Sequence, residues 1–171
     1  MEGMFQYCEG LRELDISNFD TSSVKDMSMM FYEIFAVKYL DVSKFNTSQV
    51  EDMYKTFGNM RYLTSLDVSN FKTENVEQMG NMFSGCWRLK RINVDNFVTN
   101  KVLDMSLMFS KCSAITSLDV SNFDTSLVSD MNRMFQGMNS LKKLNLDNFN
   151  TAKVTDMSSM FQNCKDMTSL S

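Results

Sequence analysis

Six phenylalanines, Phe19, Phe45, Phe71, Phe97, Phe123 and Phe149, stand 26 residues apart with no insertion or deletion between them. Each closes a related hexapeptide: LDISNF from Leu14, LDVSKF from Leu40, LDVSNF from Leu66, INVDNF from Ile92, LDVSNF from Leu118 and LNLDNF from Leu144. An unbroken period of this length is the signature of a solenoid, in which each coil buries its apolar face only by stacking on its neighbours. Residues 1–171 are therefore expected to form a single solenoid domain of about six and a half repeats. The chain opens and closes in mid-repeat, and neither end carries a repeat with a polar outer face. We expect an uncapped piece of a longer protein, whose open ends favour head-to-tail self-association.

Within one period from Val24 the apolar positions are Val24, Met27, Met30, Phe31, Ile34, Val37, Leu40, Val42 and Phe45. From Met27 to Val37 the spacing follows one helical face, whereas Leu40 and Val42 alternate with Tyr39 and Asp41 as in a half-buried strand. The expected fold class is α/β, a leucine-rich-repeat-like solenoid. Its parallel β-ladder comes from the L-x-x-L-D-V strands, with a short helix or 3₁₀ turn at M-F-x-x-C and a second, shorter strand at V-x-D-M. The S-N-F-D-T-S links carry Ser, Asn, Asp and Thr, whose side chains bond to nearby backbone. Strands about 4.8 Å apart facing helices about 8 to 10 Å apart would curve the stack, sheet inward. Turns in place of helices would flatten it.

Stacking turns the unusual composition into columns. Most of the 17 methionines fall in the phases of Met27 and Met30, and all but one of the 14 phenylalanines fall in the phases of Phe31 and Phe19. These columns read as core, not as thioether ligands. Cys8, Cys86, Cys112 and Cys164 share the phase of Ile34 with Met60 and Met138, so the position asks for a small or flexible apolar group. A bridge between Cys86 and Cys112 is disfavoured if helices about 8 to 10 Å apart carry them, because a disulfide needs Cα atoms within about 7 Å.

The chain has no histidine and a net charge of -4. The commonest general base and metal ligand are thus missing, and nothing favours nucleic acid, which is held by clustered Lys and Arg. No apolar run is long enough to span a bilayer, so no direct membrane insertion is expected. Two aspartate columns, Asp15 to Asp119 and Asp26 to Asp156, are the first candidates for a metal. They accept Asn93, Asn145 and Gln78, which keep a carbonyl and lose the charge that calcium requires; bonding to turn backbone fits better. The invariant threonine column from Thr21 to Thr151 could in principle face ice, but a hydroxyl ladder bracing the loops is the plainer reading. Identical columns also offer identical environments, whereas acid-base catalysis needs two different ones. We expect no enzyme, no cofactor and no metal.

The repeat L-x-x-L-D-V-S-N-F-D-T-S-x-V-x-D-M-S-x-M-F-x-x-C, plainest from Leu118 to Cys164, resembles the leucine-rich-repeat surface proteins called BspA-like. More narrowly, it resembles a branch of bacterial surface and lipoprotein repeats long filed as a domain of unknown function. The likeness covers the whole chain. It implies a location outside the cell or on its surface, and a non-catalytic role in binding or adhesion to a protein or glycan of a host or neighbouring cell. A structural spacer or fibre segment with no ligand of its own is the alternative. No family motif names a binding residue. Departures from the usual M-F-x-G-C-x-x-L segment lie at Tyr32 to Tyr39 and Tyr54 to Tyr62.

In a solenoid the core columns are constrained by stacking, so partner contacts are sought where surface columns break their pattern. Aromatic residues do so in and beside the M-F-x-x-C segment, at Tyr7 and Phe35 and, as candidates for partner contact, at Tyr32, Tyr54, Tyr62 and Trp87. Tyr and Trp are common interface anchors, though packing between turns would also account for them. The outward strand column breaks at Tyr39 and Arg91, and Arg91 with Arg88 and Lys90 forms the one tight basic cluster. These eight residues are the candidate partner-binding set; a solvated face is the plain alternative for the charged ones.

Overall fold

The computed structural model describes residues 1–171 and forms a solenoid in which each residue stacks on the one 26 positions later. Parallel bridges join Asp26 to Asp52, Asp52 to Gln78, Gln78 to Asp104, Asp104 to Asp130 and Asp130 to Asp156. The unbroken ladder therefore runs along V-x-D-M, the segment expected to be the minor strand.

The M-S-x-M-F-x-x-C segment forms no helix of either kind. Its N–H groups divide between two jobs. Those of Met27, Met29, Phe31 and Glu33 donate to Asp52, Tyr54, Thr56 and Gly58 of the next coil, while those of Met30, Tyr32 and Ile34 donate three residues back. The remaining Ser28 N–H donates to Asp26 Oδ1 at 2.7 Å. A helix over this segment would turn the N–H groups of Phe31 to Ile34 back to its own carbonyls four residues earlier. The overlapping turns instead require two left-handed residues per coil, such as Met29 at φ 54° and Glu33 at φ 63°. The 3.6-residue periodicity reported which side chains face inward, and consecutive turns satisfy that pattern equally well.

This geometry corrects the expected curvature. Turns linked by backbone hydrogen bonds stack far closer than helices, and the Phe31, Phe57, Phe83 and Phe109 rings lie nearly parallel with centroids 5.6 to 5.8 Å apart. The premise for a sheet on a concave face is absent. The helix-spacing reason for disfavouring a Cys86–Cys112 bridge goes with it. Both thiols are free and buried, and they donate to backbone carbonyls of the preceding coil, Cys86 to Phe57 at 3.2 Å and Cys112 to Phe83 at 3.1 Å.

On the L-x-x-L-D-V side the side chains alternate as expected, with Leu66 and Val68 buried and Asp67 and Ser69 exposed. Backbone pairing is sparse there. It occurs at Tyr39 with Ser65 and between β1 (Lys143–Leu144) and β2 (Ser169–Leu170), which run parallel. Between the L-x-x-L-D-V segments that carry Leu66, Ile92 and Leu118, no backbone hydrogen bond crosses. The stack thus has a zipped side and an open side.

Side chains make up for the missing ladder at the link. Asn70, Asn96, Asn122 and Asn148 each donate to the Val and Phe carbonyls of the preceding coil's link. The threonine hydroxyls from Thr21 to Thr125 each clasp one residue of the following coil: Thr73 Oγ1 donates to the Val98 carbonyl at 2.9 Å and accepts from the Val98 N–H at 2.7 Å. Thr73 is 1% exposed, as are Thr21, Thr47 and Thr125. That excludes ice contact through this column and identifies it as an inter-coil brace.

Candidate partner-binding surface

The aspartate columns come first, because they carried the strongest hint of chemistry. Asp15, Asp41, Asp67 and Asp119 each accept the N–H two residues on at 2.9 Å. Asn93 and Asn145 make the same bond with an amide oxygen, which explains why the column tolerates loss of charge. The serine N–H and hydroxyl hold these four carboxyls below the usual carboxylate range. Asp52 is half-buried in the other column. Burial pushes its carboxyl up, and its neighbours Asp26, Glu2 and Asp104 add to that, against the N–H of Tyr54. These groups close turns.

The eight pattern-breaking residues fall into separate groups. Tyr32 and Tyr54 are half-buried and share one cation, the Lys55 ammonium, 4.9 and 5.0 Å from their ring centres. Tyr7 packs edge-on against Tyr32 at 5.7 Å. Burial and the adjoining Glu33 raise the Tyr32 hydroxyl to about 12. For this pair packing between turns is the better description, and it binds the first coils together.

Tyr39 and Tyr62 are different, at 66% and 43% exposed. They line a groove of about 820 Å³ with Arg12, Glu13, Asp15 and Lys38. It opens where the L-x-x-L-D-V segments of the first two coils share no backbone bond. Arg88 lies over the Tyr62 ring at 4.5 Å, extending the surface by one coil. Lys90 and Arg91 are exposed; Arg91 stands in the Tyr39 column two coils on, and neither contributes to the groove.

Trp87 belongs to a third group that sequence reasoning only half anticipated. Phe35, Arg61 and Trp87 are successive members of one column, and the Arg61 guanidinium lies 4.2 Å from the Phe35 ring centre and 4.8 Å from that of Trp87. Arg61 was missed because it has no basic neighbour in sequence; its identical phase with Phe35 and Trp87 was the available signal.

The model of the family described as Mycoplasma protein of unknown function, DUF285, matches residues 1–117 and 80–170. Among solved structures, the chain is similar to a leucine-rich repeat protein from Bacteroides ovatus, with 22% identity, a TM-score of 0.48, and coverage of 71% of this chain and 29% of that one. It is also similar to a leucine-rich cell surface protein from Faecalibacterium prausnitzii, with 15% identity, a TM-score of 0.37, and coverage of 99% of this chain and 68% of that one. The chain thus spans under a third of the length of the Bacteroides ovatus protein. No curated protein matches it.

Proposed function

We propose, from the premise that the chain belongs to the DUF285 repeat family, that it is a non-catalytic surface module that binds a protein or glycan partner through its open side. The observation that carries this is the Tyr39–Tyr62 groove. Two large aromatic side chains stay exposed there, beside cations and carboxylates, in a stack whose central methionine and phenylalanine columns are internal. Aromatic anchors on a preformed surface bind with little ordering cost.

The absence of catalysis in this reading rests on how the polar columns are used. Carboxylates repeat in near-identical turns, and burial pushes the Cys86 thiol up to about 12, which leaves it a poor nucleophile. The rival reading is a stiff spacer, favoured by the uniform ladders that bond every coil to the next.

The test is capture of extracellular-matrix proteins and an oligosaccharide panel on the immobilised chain, compared with the double variant Tyr39→Ala and Tyr62→Ala. Both side chains are exposed, so the variant is expected to fold and to lose at least about tenfold in affinity. Binding that is unchanged in the double variant removes the groove from the account, and binding to nothing on the panel favours the spacer.

A further inference from the structure

The column that holds Phe35, Arg61 and Trp87 continues through Ser113, Asn139 and Lys165. Two residues earlier in each coil lies the left-handed column of Asn59, Gly85, Lys111, Gly137 and Asn163. The Cys112, Met138 and Cys164 phase between them turns inward, so a furrow parallel to the stack axis runs between the two columns. In the first half of the chain the Phe35–Arg61–Trp87 stack fills it. Beyond Trp87 it opens into a cavity of about 480 Å³ that crosses four coils.

Three features define what this furrow suits. Its lining holds two cations, Lys111 and Lys165, and no carboxylate, in a chain of net charge -4. Ser113, Asn139 and Asn163 supply hydrogen-bonding side chains, and Asn139 Oδ1 is a buried acceptor with no partner. Trp87 closes one end. Arg61 lies over the ring, yet Trp87 remains 45% exposed, which leaves indole surface open to a ligand.

We infer that the furrow from Trp87 to Lys165 binds a short acidic oligosaccharide, with a sugar ring stacked on Trp87 and carboxylates beside Lys111 and Lys165. Coils joined by parallel bridges repeat about every 4.8 Å, close to the rise of one pyranose along an extended glycan. An extended acidic peptide advances about 3.3 Å per residue, so it meets the coil repeat only at every second coil, whereas a pyranose meets it at each. A pyranose also presents hydroxyls along both edges, which the polar side chains of the two columns are placed to meet, and an apolar face that suits an indole. The inference rests on reading the chain as a binding module, but names a place on it separate from the Tyr39–Tyr62 groove.

Trp87 is the one tryptophan of the chain, so its fluorescence reports on the site directly. The whole chain is titrated with a hyaluronan hexasaccharide, in which glucuronate alternates with N-acetylglucosamine, with the uncharged N-acetylglucosamine hexamer, and with polyglutamate. The expected result is a saturable change with hyaluronan that weakens with salt, and at least about tenfold weaker binding of the other two. Lys111→Glu and Lys165→Glu are each expected to weaken hyaluronan about tenfold, Trp87→Ala at least as much by calorimetry, and Trp87→Tyr much less. The Tyr39→Ala, Tyr62→Ala variant is expected to bind hyaluronan normally, which separates this site from the groove. Equal binding of the uncharged hexamer or of polyglutamate, indifference to both lysine changes, or loss of binding only in the Tyr39 and Tyr62 variant would overturn the assignment.

Discussion

Replacing Thr73 by valine isolates the inter-coil brace. The two side chains have nearly the same shape, and Thr73 is 1% exposed, so the change removes a hydroxyl and leaves the packing volume. That hydroxyl serves both polar groups of Val98, donating at 2.9 Å and accepting at 2.7 Å. Two bonds worth about 1 kcal/mol each are lost, and more if the Val98 groups stay dry and unpaired. Against this, a buried methyl in place of a hydroxyl returns about 0.8 kcal/mol. The net cost is about 1 kcal/mol, rising to about 3 kcal/mol where the Val98 groups stay dry and unpaired. Thr73→Ser keeps the hydroxyl and gives up one methyl, a loss of about 1 kcal/mol. Urea unfolding of both variants, compared at unchanged m, should rank valine as the more damaging. If serine costs more than valine, the column contributes by apolar packing and the bracing role is wrong.

Other expectations follow from the same geometry. Gly85→Ala should be strongly destabilising, by at least about 2 kcal/mol, because φ is +74° and a Cβ would lie 2.0 Å from Asn59 Oδ1; Gly10→Ala, with nothing within 4 Å, should be neutral in the same melts. Phe83→Ala removes the middle of the stacked ring column and should cost about 3 to 5 kcal/mol; a loss below about 1 kcal/mol would mean that the ring is not enclosed. A thiol-labelling reagent at pH 8 should modify the exposed Cys8 readily and leave the buried Cys86 and Cys112 unreacted until the chain unfolds. The carboxyls of Asp15, Asp41, Asp67 and Asp119 are lowered by their serine bonds. Their contribution is therefore present above the unfolded carboxylate range and lost as pH falls through the lower folded values. Changing all four to Asn, as at Asn93 and Asn145, should flatten the acid limb of the stability curve in proportion.

Much of this fold was legible in the 26-residue period. The columns of Met27, Phe31, Leu40, Val42 and Phe45 are buried as their spacing demands, and the aspartate and threonine columns do brace turns. What failed was the assignment of backbone to those columns. An apolar pattern of period near 3.6 records which side chains face inward, and turns kept open by left-handed residues produce it without a helix. The sequence held a trace of this in the column of Tyr7, Glu33, Asn59, Gly85, Lys111, Gly137 and Asn163, where Gly and Asn supply four of seven residues. Three members, Tyr7, Glu33 and Lys111, lack that preference and obscure it. The ladder was misplaced for a related reason. Leu40 and Val42 alternate like a strand because every second side chain is internal, and alternation carries no information about where N–H groups donate. Among the candidate contacts, Tyr39 and Tyr62 share a groove. Tyr32 and Tyr54 are claimed by Lys55, a cation whose column neighbours are Met29 and Asn81 and which therefore left no repeating signal.

Amide hydrogen exchange resolved to single residues tests most directly that the stack is zipped along V-x-D-M and open along L-x-x-L-D-V. The N–H groups of Met53, Met79 and Met105 donate to the next coil, and those of Ile92, Val94, Leu118 and Val120 have no backbone partner. The first set should exchange only through opening of the stack, and the second set should exchange orders of magnitude faster under the same conditions. Equal protection of the two sets, or slower exchange at Ile92 and Leu118 than at Met79, would contradict the architecture of one zipped and one open side.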